Sequence, residues 1–365
     1  MSNVHNSQHN IYDDAALADP YPIYDELREA APVAYLEPIR MYALTRYARV
    51  QEALKTPEVF VSGNGVMMNE PMNDATKSKI MLCSDGDQHQ GMRRVLMRPL
   101  MPKTLSEIQD QITQEAKGLA ERLVAKGSFD AVTDLAQYLP VKIVSDLVGL
   151  PEDGREKMLE WASTSFDTFG PITPRVGAQM PVIEETICYM QKNNHPGIVK
   201  PGSWCDQLHA VAKELGLPPE APVMMGIDYM GPSLDTTIFA ISSGVMLFAK
   251  NPDQWAKLCA NPDLMTSAIN EIIRLESPIQ GFSRTTVADH SFDGATIPSG
   301  SRVIMLYGAA NRDPRQWDDP TAFNIERDGH FNHLAFGTGA HACAGSNLAK
   351  MEMAAVFGAL INKAS

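Results

Sequence analysis

The chain has 365 residues, of which 44% are hydrophobic and 21% charged, a composition that suits a globular enzyme and argues against a disordered chain. A formal net charge of -13 argues against a nucleic-acid binder, which would carry a basic face. The five cysteines, Cys83, Cys188, Cys205, Cys259 and Cys343, are odd in number, widely spaced and without a C-x-x-C pair, so no disulfide framework is expected and a reducing cytoplasm fits. The length permits one large domain or two ordinary ones. The first ten residues are polar and read as neither a signal peptide nor a membrane anchor.

Asp19-Pro20-Tyr21-Pro22 opens a short amphipathic helix with Ile23, Tyr24 and Leu27 on one side. Residues 31–36 and 41–45 read as strands with a turn at Glu37-Pro38, and a short helix follows over 46–55. Residues 57–79, rich in Gly, Asn, Pro and Met, read as a mobile connection that can form a lid. In the 85–94 stretch His89 and Arg93 share a helix face. The pair reads either as a solvated polar face or as an anion site with two donors. Thr104-Leu105-Ser106-Glu107 fits a capping box. It precedes a core stripe of Leu105, Ile108, Ile112, Leu119 and Leu123 that stops at Gly127. Helices over 141–148 and 152–168, a break at 169–174 and a helix near 181–192 suggest a movable roof.

A mostly apolar helix over 223–250, roughly 40 Å long, is expected to cross the core. Pro232 lacks an N–H and crowds the carbonyl of Asp228, so the helix is expected to kink or open there. Asp235, Thr236 and Thr237 then bring an acid and two hydroxyls into the buried part. An unpaired buried carboxylate is costly. Asp235 is therefore either salt-bridged, with Thr236 bonded back to a carbonyl, or part of a proton relay. Asn251-Pro252 and Asn261-Pro262 each start a helix. The second helix carries Glu271 and Arg274 among apolar neighbours, which suggests a buried pair, and it stops at Ser277-Pro278. Strand-like runs at 284–288, 294–298 and 302–306 lead to an irregular stretch over 317–327.

The stretch Phe336-Gly337-Thr338-Gly339-Ala340-His341-Ala342-Cys343-Ala344-Gly345 is a glycine-rich loop before a run of strong helix formers. Cys343 should therefore sit at a helix N-terminus, where free N–H groups favour a thiolate. Three readings compete: a buried structural cysteine, a metal site of Cys343, His341 and His333, or a thiolate axial ligand to haem iron. Zinc would require further cysteines at suitable spacing, and the sequence lacks them.

The spacing Phe-x-x-Gly-x-His-x-Cys-x-Gly resembles the haem-binding signature of the cytochrome P-450 family. From Asp19 onward the other motifs follow in that family's order, most like its soluble bacterial members. The resemblance implies a mainly α fold with a small β region (α+β), haem lying between the long distal helix and the proximal cysteine loop. It implies that Cys343 is the iron ligand of haem b, that His89, Arg93, Arg284 and His341 bind the haem propionates, and that Glu271 and Arg274 form the family's structural pair. Asp235 and Thr236 match the acid–alcohol pair that handles protons. Met230, Leu234, Ile279, Gln280 and Phe282, with residues between 62 and 80, would line the substrate pocket, with no arginine or lysine to hold a carboxylate.

The implied activity is a cytoplasmic monooxygenase that inserts one oxygen of O2 into a small or medium apolar substrate, including aromatic ones, by hydroxylation or O-dealkylation. Electrons would come from a separate ferredoxin or flavodoxin with its NAD(P)H-dependent reductase, docking near Arg93, Arg94 and Arg98. A peroxide-driven peroxygenase and a non-catalytic or decayed haem-binding homologue are the competing functions. Two departures stand out. Pro232 and Ser233 occupy places where the family has small residues, Ala or Gly then Gly. The sequence also ends at Ser365, soon after the helix that follows Cys343, whereas members normally continue through strands and a hairpin. The expectation is a single haem domain over 1–365 without those strands.

Overall fold

Helix-period apolar stripes become helices through most of the chain in the computed structural model, which describes residues 3–363. In chain order the helices are α1 (Asp14–Ala18), α2 (Tyr21–Ala30), α3 (Tyr47–Leu54), α4 (Glu70–Thr76), α5 (Gly86–Met97), α6 (Pro102–Lys126), α7 (Tyr138–Val148) and α8 (Met158–Asp167). They continue with α9 (Pro174–Asn193), α10 (Trp204–Glu214), α11 (Ala221–Met225), α12 (Ile227–Lys250), α13 (Pro252–Ala260), α14 (Met265–Leu275), α15 (Tyr307–Ala310) and α16 (Ser346–Ile361). The strands are β1 (Val4–Ser7), β2 (Val33–Leu36), β3 (Met41–Leu44), β4 (Phe60–Val61), β5 (Gly281–Thr286), β6 (His290–Phe292), β7 (Ala295–Ile297) and β8 (Arg302–Leu306).

One sheet runs in the order β1-β2-β3-β8-β5-β4, and β6 and β7 form a separate hairpin. β1 pairs parallel with β2, and β3 parallel with β8. The register Arg284↔Val303 fixes Arg284 on β5. α12 crosses the main core, packing on α7, α8, α14 and α16, while α16 packs along α6. Trp161, Tyr229, Ile241, Met353 and Phe357 belong to that core. α12 and α16 touch closely at Gly244, where an added Cβ would lie 2.4 Å from the Phe357 ring.

Several local expectations change. Residues 57–79 are built in: Asn69 caps α4, and the buried Asn73 side chain accepts from Met67 N–H at 2.9 Å and donates to the Met67 carbonyl at 3.1 Å. The capping box at Thr104 is not used, because α6 already starts at Pro102. α9 starts at Pro174, capped by Thr173, and runs through Pro181. α12 remains helical through Pro232, and the break falls at Gly226 instead. The 221–250 stretch is long and apolar enough to span a membrane, but it is packed as the core helix here.

Candidate active site

The cysteine loop is shaped by its glycines. Gly337 and Gly339 adopt φ of +63° and +75°. At Gly339 a Cβ would fall 2.7 Å from the Leu54 carbonyl oxygen, so a side chain there is excluded twice over. Cys343 N–H donates to the Phe336 carbonyl at 2.8 Å, which folds the loop back on itself. The sulfur then faces the start of α16 and accepts from the N–H groups of Gly345 and Ser346. Cys343 is an exposed residue. Burial raises the thiol's pKa, and Gly345, Arg93 and Ser346 oppose this without reversing it. The helix-end hydrogen bonds that were expected are present, but desolvation outweighs them.

Beside the sulfur, four basic residues converge from three elements. α5 contributes His89 and Arg93, β5 contributes Arg284, and the loop contributes His341. The His89 and His341 rings lie 4.0 Å apart. Arg93 Nη2 donates to the Ala342 carbonyl at 2.7 Å, which ties α5 to the cysteine loop. Arg284 is buried and donates to its neighbour's carbonyl, that of Ser283, at 2.7 Å. His89 Nε2 is buried without a partner. Burial first, then the charges of His341 and Arg93, lower the His89 pKa to about 4. Asp85 holds His341 at 3.7 Å and accepts from the Ser62 and Gly63 N–H groups at 3.0 and 2.6 Å. An orphaned nitrogen and two guanidinium groups around an exposed cysteine fit a flat group with carboxylate arms. Among the described residues, no three His, Cys, Asp or Glu side chains converge as a metal-binding set.

On α12, Thr236 Oγ1 donates to the Pro232 carbonyl at 2.7 Å. Asp235 has no ion-pair partner among the described residues. Burial, then the neighbouring Asp167, raises its pKa. Thr236 is thus bonded back to the helix, as one reading allowed, while Asp235 is not salt-bridged. Both line a cavity of about 850 Å³ together with Ile279, Gln280 and Phe282. Met230 and Leu234 do not line it. They are fully buried in the main core, because the helix phase points them away from the cavity. Of residues 62–80, Met68 lines this cavity. The wall does include an arginine, Arg175, which faces Asp14 at 3.7 Å.

Glu271 and Arg274 form the expected buried pair, bonded through both carboxylate oxygens at 2.8 Å. The pair extends to Arg327 Nε, 2.9 Å from Glu271, and Arg274 also holds the carbonyls of Asn311 and Pro320 at 2.7 Å. This network pins the irregular 317–327 stretch that leads into the cysteine loop. Sequence reasoning missed Asp85, Asp167, Arg327 and Glu352. Only Asp85 carried a local signal, its place just before His89 and Arg93.

The cytochrome P450 family profile matches residues 214–363. The chain is 35% identical over 353 residues to cytochrome p450 CYP199A2 of Rhodopseudomonas palustris, covering 95% of this chain and 84% of that protein. It is 30% identical to the vitamin D(3) 25-hydroxylase of Pseudonocardia autotrophica, over 97% of this chain and 88% of that protein. Among solved structures it resembles P450BioI in complex with a hexadec-9Z-enoic acid ligated acyl carrier protein. That match has a TM-score of 0.83 and 27% identity, and covers 96% of this chain and 93% of the other.

Proposed function

The chain belongs to the cytochrome P450 family and is an oxidoreductase of its monooxygenase class, and on that premise we propose that Cys343 would supply the thiolate that holds the iron of a b-type haem, with His89, Arg93, Arg284 and His341 holding its carboxylate arms. The observation that carries this reading is the donor set around Cys343, above all the buried His89 Nε2 that lacks a partner. Bound haem supplies reductive activation of O2 and insertion of one oxygen atom into a substrate C–H bond.

This chain's own residues do the rest. The N–H groups of Gly345 and Ser346 hydrogen-bond the sulfur and hold its electron density. His89, Arg93, Arg284 and His341 bind the two propionates by charge-assisted hydrogen bonds, with Asp85 orienting His341. Asp235, whose carboxyl retains a proton more readily than an exposed acid, and Thr236 at the cavity wall would deliver protons through water, with Asp235 reprotonated from solvent. Phe169, Ile279 and Phe282 present an apolar wall that excludes water and takes a small or medium apolar body, including an aromatic one. The reaction is hydroxylation or O-dealkylation.

Electrons arrive from a ferredoxin or flavodoxin with its NAD(P)H-dependent reductase. Of the three arginines expected to receive that partner, Arg94 is exposed, Arg98 faces Glu214 at 3.3 Å and Arg93 turns inward to the cysteine loop. Arg94 is thus the freest contact of the three. A cytoplasmic location rests on the cysteine spacing.

The test is the absorption spectrum of the dithionite-reduced, CO-bound protein, followed by turnover with surrogate redox partners. A red-shifted thiolate band with substrate-dependent product supports the reading. A haem-loaded protein without that band refutes the ligand assignment.

A further inference from the structure

The charged groups of the 850 Å³ cavity are unevenly matched. Its wall carries Asp14, Asp167, Arg175 and Asp235. Arg175, the one base among them, is engaged by Asp14 at 3.7 Å. Two carboxylates remain. Neither the Asp167 carboxylate, at the end of α8, nor that of Asp235, on α12, accepts a hydrogen bond or ion pair from a side chain or backbone N–H among the described residues. They are close enough for Asp167 to repel charge on Asp235.

Two hydroxyls of the wall are engaged elsewhere. Thr236 donates to the Pro232 carbonyl at 2.7 Å and Ser242 to the Ile238 carbonyl at 2.8 Å. Around Asp167 the wall is aromatic. Phe166 and Phe169 flank it in sequence with ring centroids 5.7 Å apart, and Phe169 continues to Phe282 at 5.4 Å. A partly buried carboxylate without a counter-charge, on a cavity wall that also carries Phe166, Phe169 and Phe282, is an environment that attracts an organic cation twice: through the carboxylate and through the ring quadrupoles. An anionic substrate would meet the Asp167 carboxylate there instead.

We propose that the cavity selects a substrate whose apolar body carries an ammonium group, and that Asp167 is the residue that receives that group against the Phe166–Phe169–Phe282 wall. This rests on the reading of the cavity as the substrate site and narrows its substrate class. Asp167 acts here in specificity, while Asp235 keeps its place beside Thr236.

The probes are three matched methoxyarenes titrated into the haem-loaded protein by calorimetry and by the spin-state absorption change. They are 4-methoxybenzyl-trimethylammonium, its neutral carbon isostere 1-methoxy-4-neopentylbenzene, and 4-methoxyphenylacetate. A quaternary nitrogen has no lone pair for iron, so its binding reports the cavity alone. The ammonium probe is expected to bind about tenfold or more tighter than the isostere, and the carboxylate weakest. Asp167→Asn should abolish that preference while leaving the isostere's affinity within about twofold. Equal affinity for ammonium and isostere overturns the proposal, as does a preference that survives Asp167→Asn. A thiolate band without the preference sinks the substrate class alone. The preference in a protein lacking the band upholds it and sinks the monooxygenase reading.

Discussion

Glu352 tests the energetics of the α16 packing directly. It lies on α16 with no exposed surface, and neither carboxyl oxygen has a hydrogen-bond partner. Burial pushes its carboxyl up to about 8 from 4.5. Between those values the folded chain keeps a proton that the unfolded chain has released. Stability from this group is therefore full below the unfolded pKa and is lost as pH rises through the folded one. Integrated from pH 5 to pH 8, the loss comes to roughly 3–4 kcal/mol. Gln has the shape and neutrality of the protonated acid, so Glu352→Gln should remove the dependence without opening a cavity. The assay is urea unfolding of the haem-loaded protein and the variant, followed by circular dichroism at constant ionic strength. The two stabilities should agree within about 1 kcal/mol at pH 5 and diverge by roughly 3–4 kcal/mol at pH 8, in the variant's favour. Parallel curves across that range would refute the claim that Glu352 is a buried, proton-holding acid.

Cys343→Ser should retain the fold by circular dichroism but lose the red-shifted band of the reduced CO complex; an unchanged band would remove Cys343 from the iron. Thr236→Ala should lower product formed per NAD(P)H and release hydrogen peroxide, and full coupling would exclude Thr236 from proton handling. Glu271→Ala strands Arg274 and Arg327 in the interior and should cost about 3–5 kcal/mol in the same urea assay. A loss below about 1 kcal/mol would mean that solvent reaches the pair.

Legibility followed the range of the interaction. The cysteine loop could be read because its constraints are local: two left-handed glycines, a backbone turn and a following helix lie within 336–361. α6 could be read from its stripe and its Gly127 stop, and β2 and β3 from strand-like runs on either side of the Glu37-Pro38 turn. Residues 57–79 could not, since what orders them is Asn73 folding onto Met67 and Asn69 reaching the carbonyls of Thr168 and Gly170, about a hundred residues away. Position along α12 points Met230 and Leu234 to the pocket, yet a helix rotates its faces by about 100° per residue, and both lie in the core. Asp167 and Glu352 matter only through what surrounds them in space, which no local spacing reveals.

The displaced break in the long distal helix has a physical cause. Pro232 removes one N–H, so the Asp228 carbonyl loses its partner within the helix, yet the segment stays helical. The helical run is interrupted instead at Gly226, between α11 and α12, where the backbone keeps helical φ and ψ of -61° and -24°. There the Asn194 side chain donates to the carbonyls of both Pro222 and Val223 at 3.1 Å, and the Pro222 carbonyl also accepts from the Gly226 N–H at 3.1 Å. Gly226 permits this approach, because a Cβ at that position would lie 2.4 Å from Asn194 Nδ2. The end of α9, which carries Asn194, thereby fixes where α12 begins. The helix phase set at that junction turns Leu234 into the core and Asp235 and Thr236 to the cavity. A substitution at Asn194, remote from the cysteine loop, should therefore disturb the acid–alcohol pair through its supporting junction.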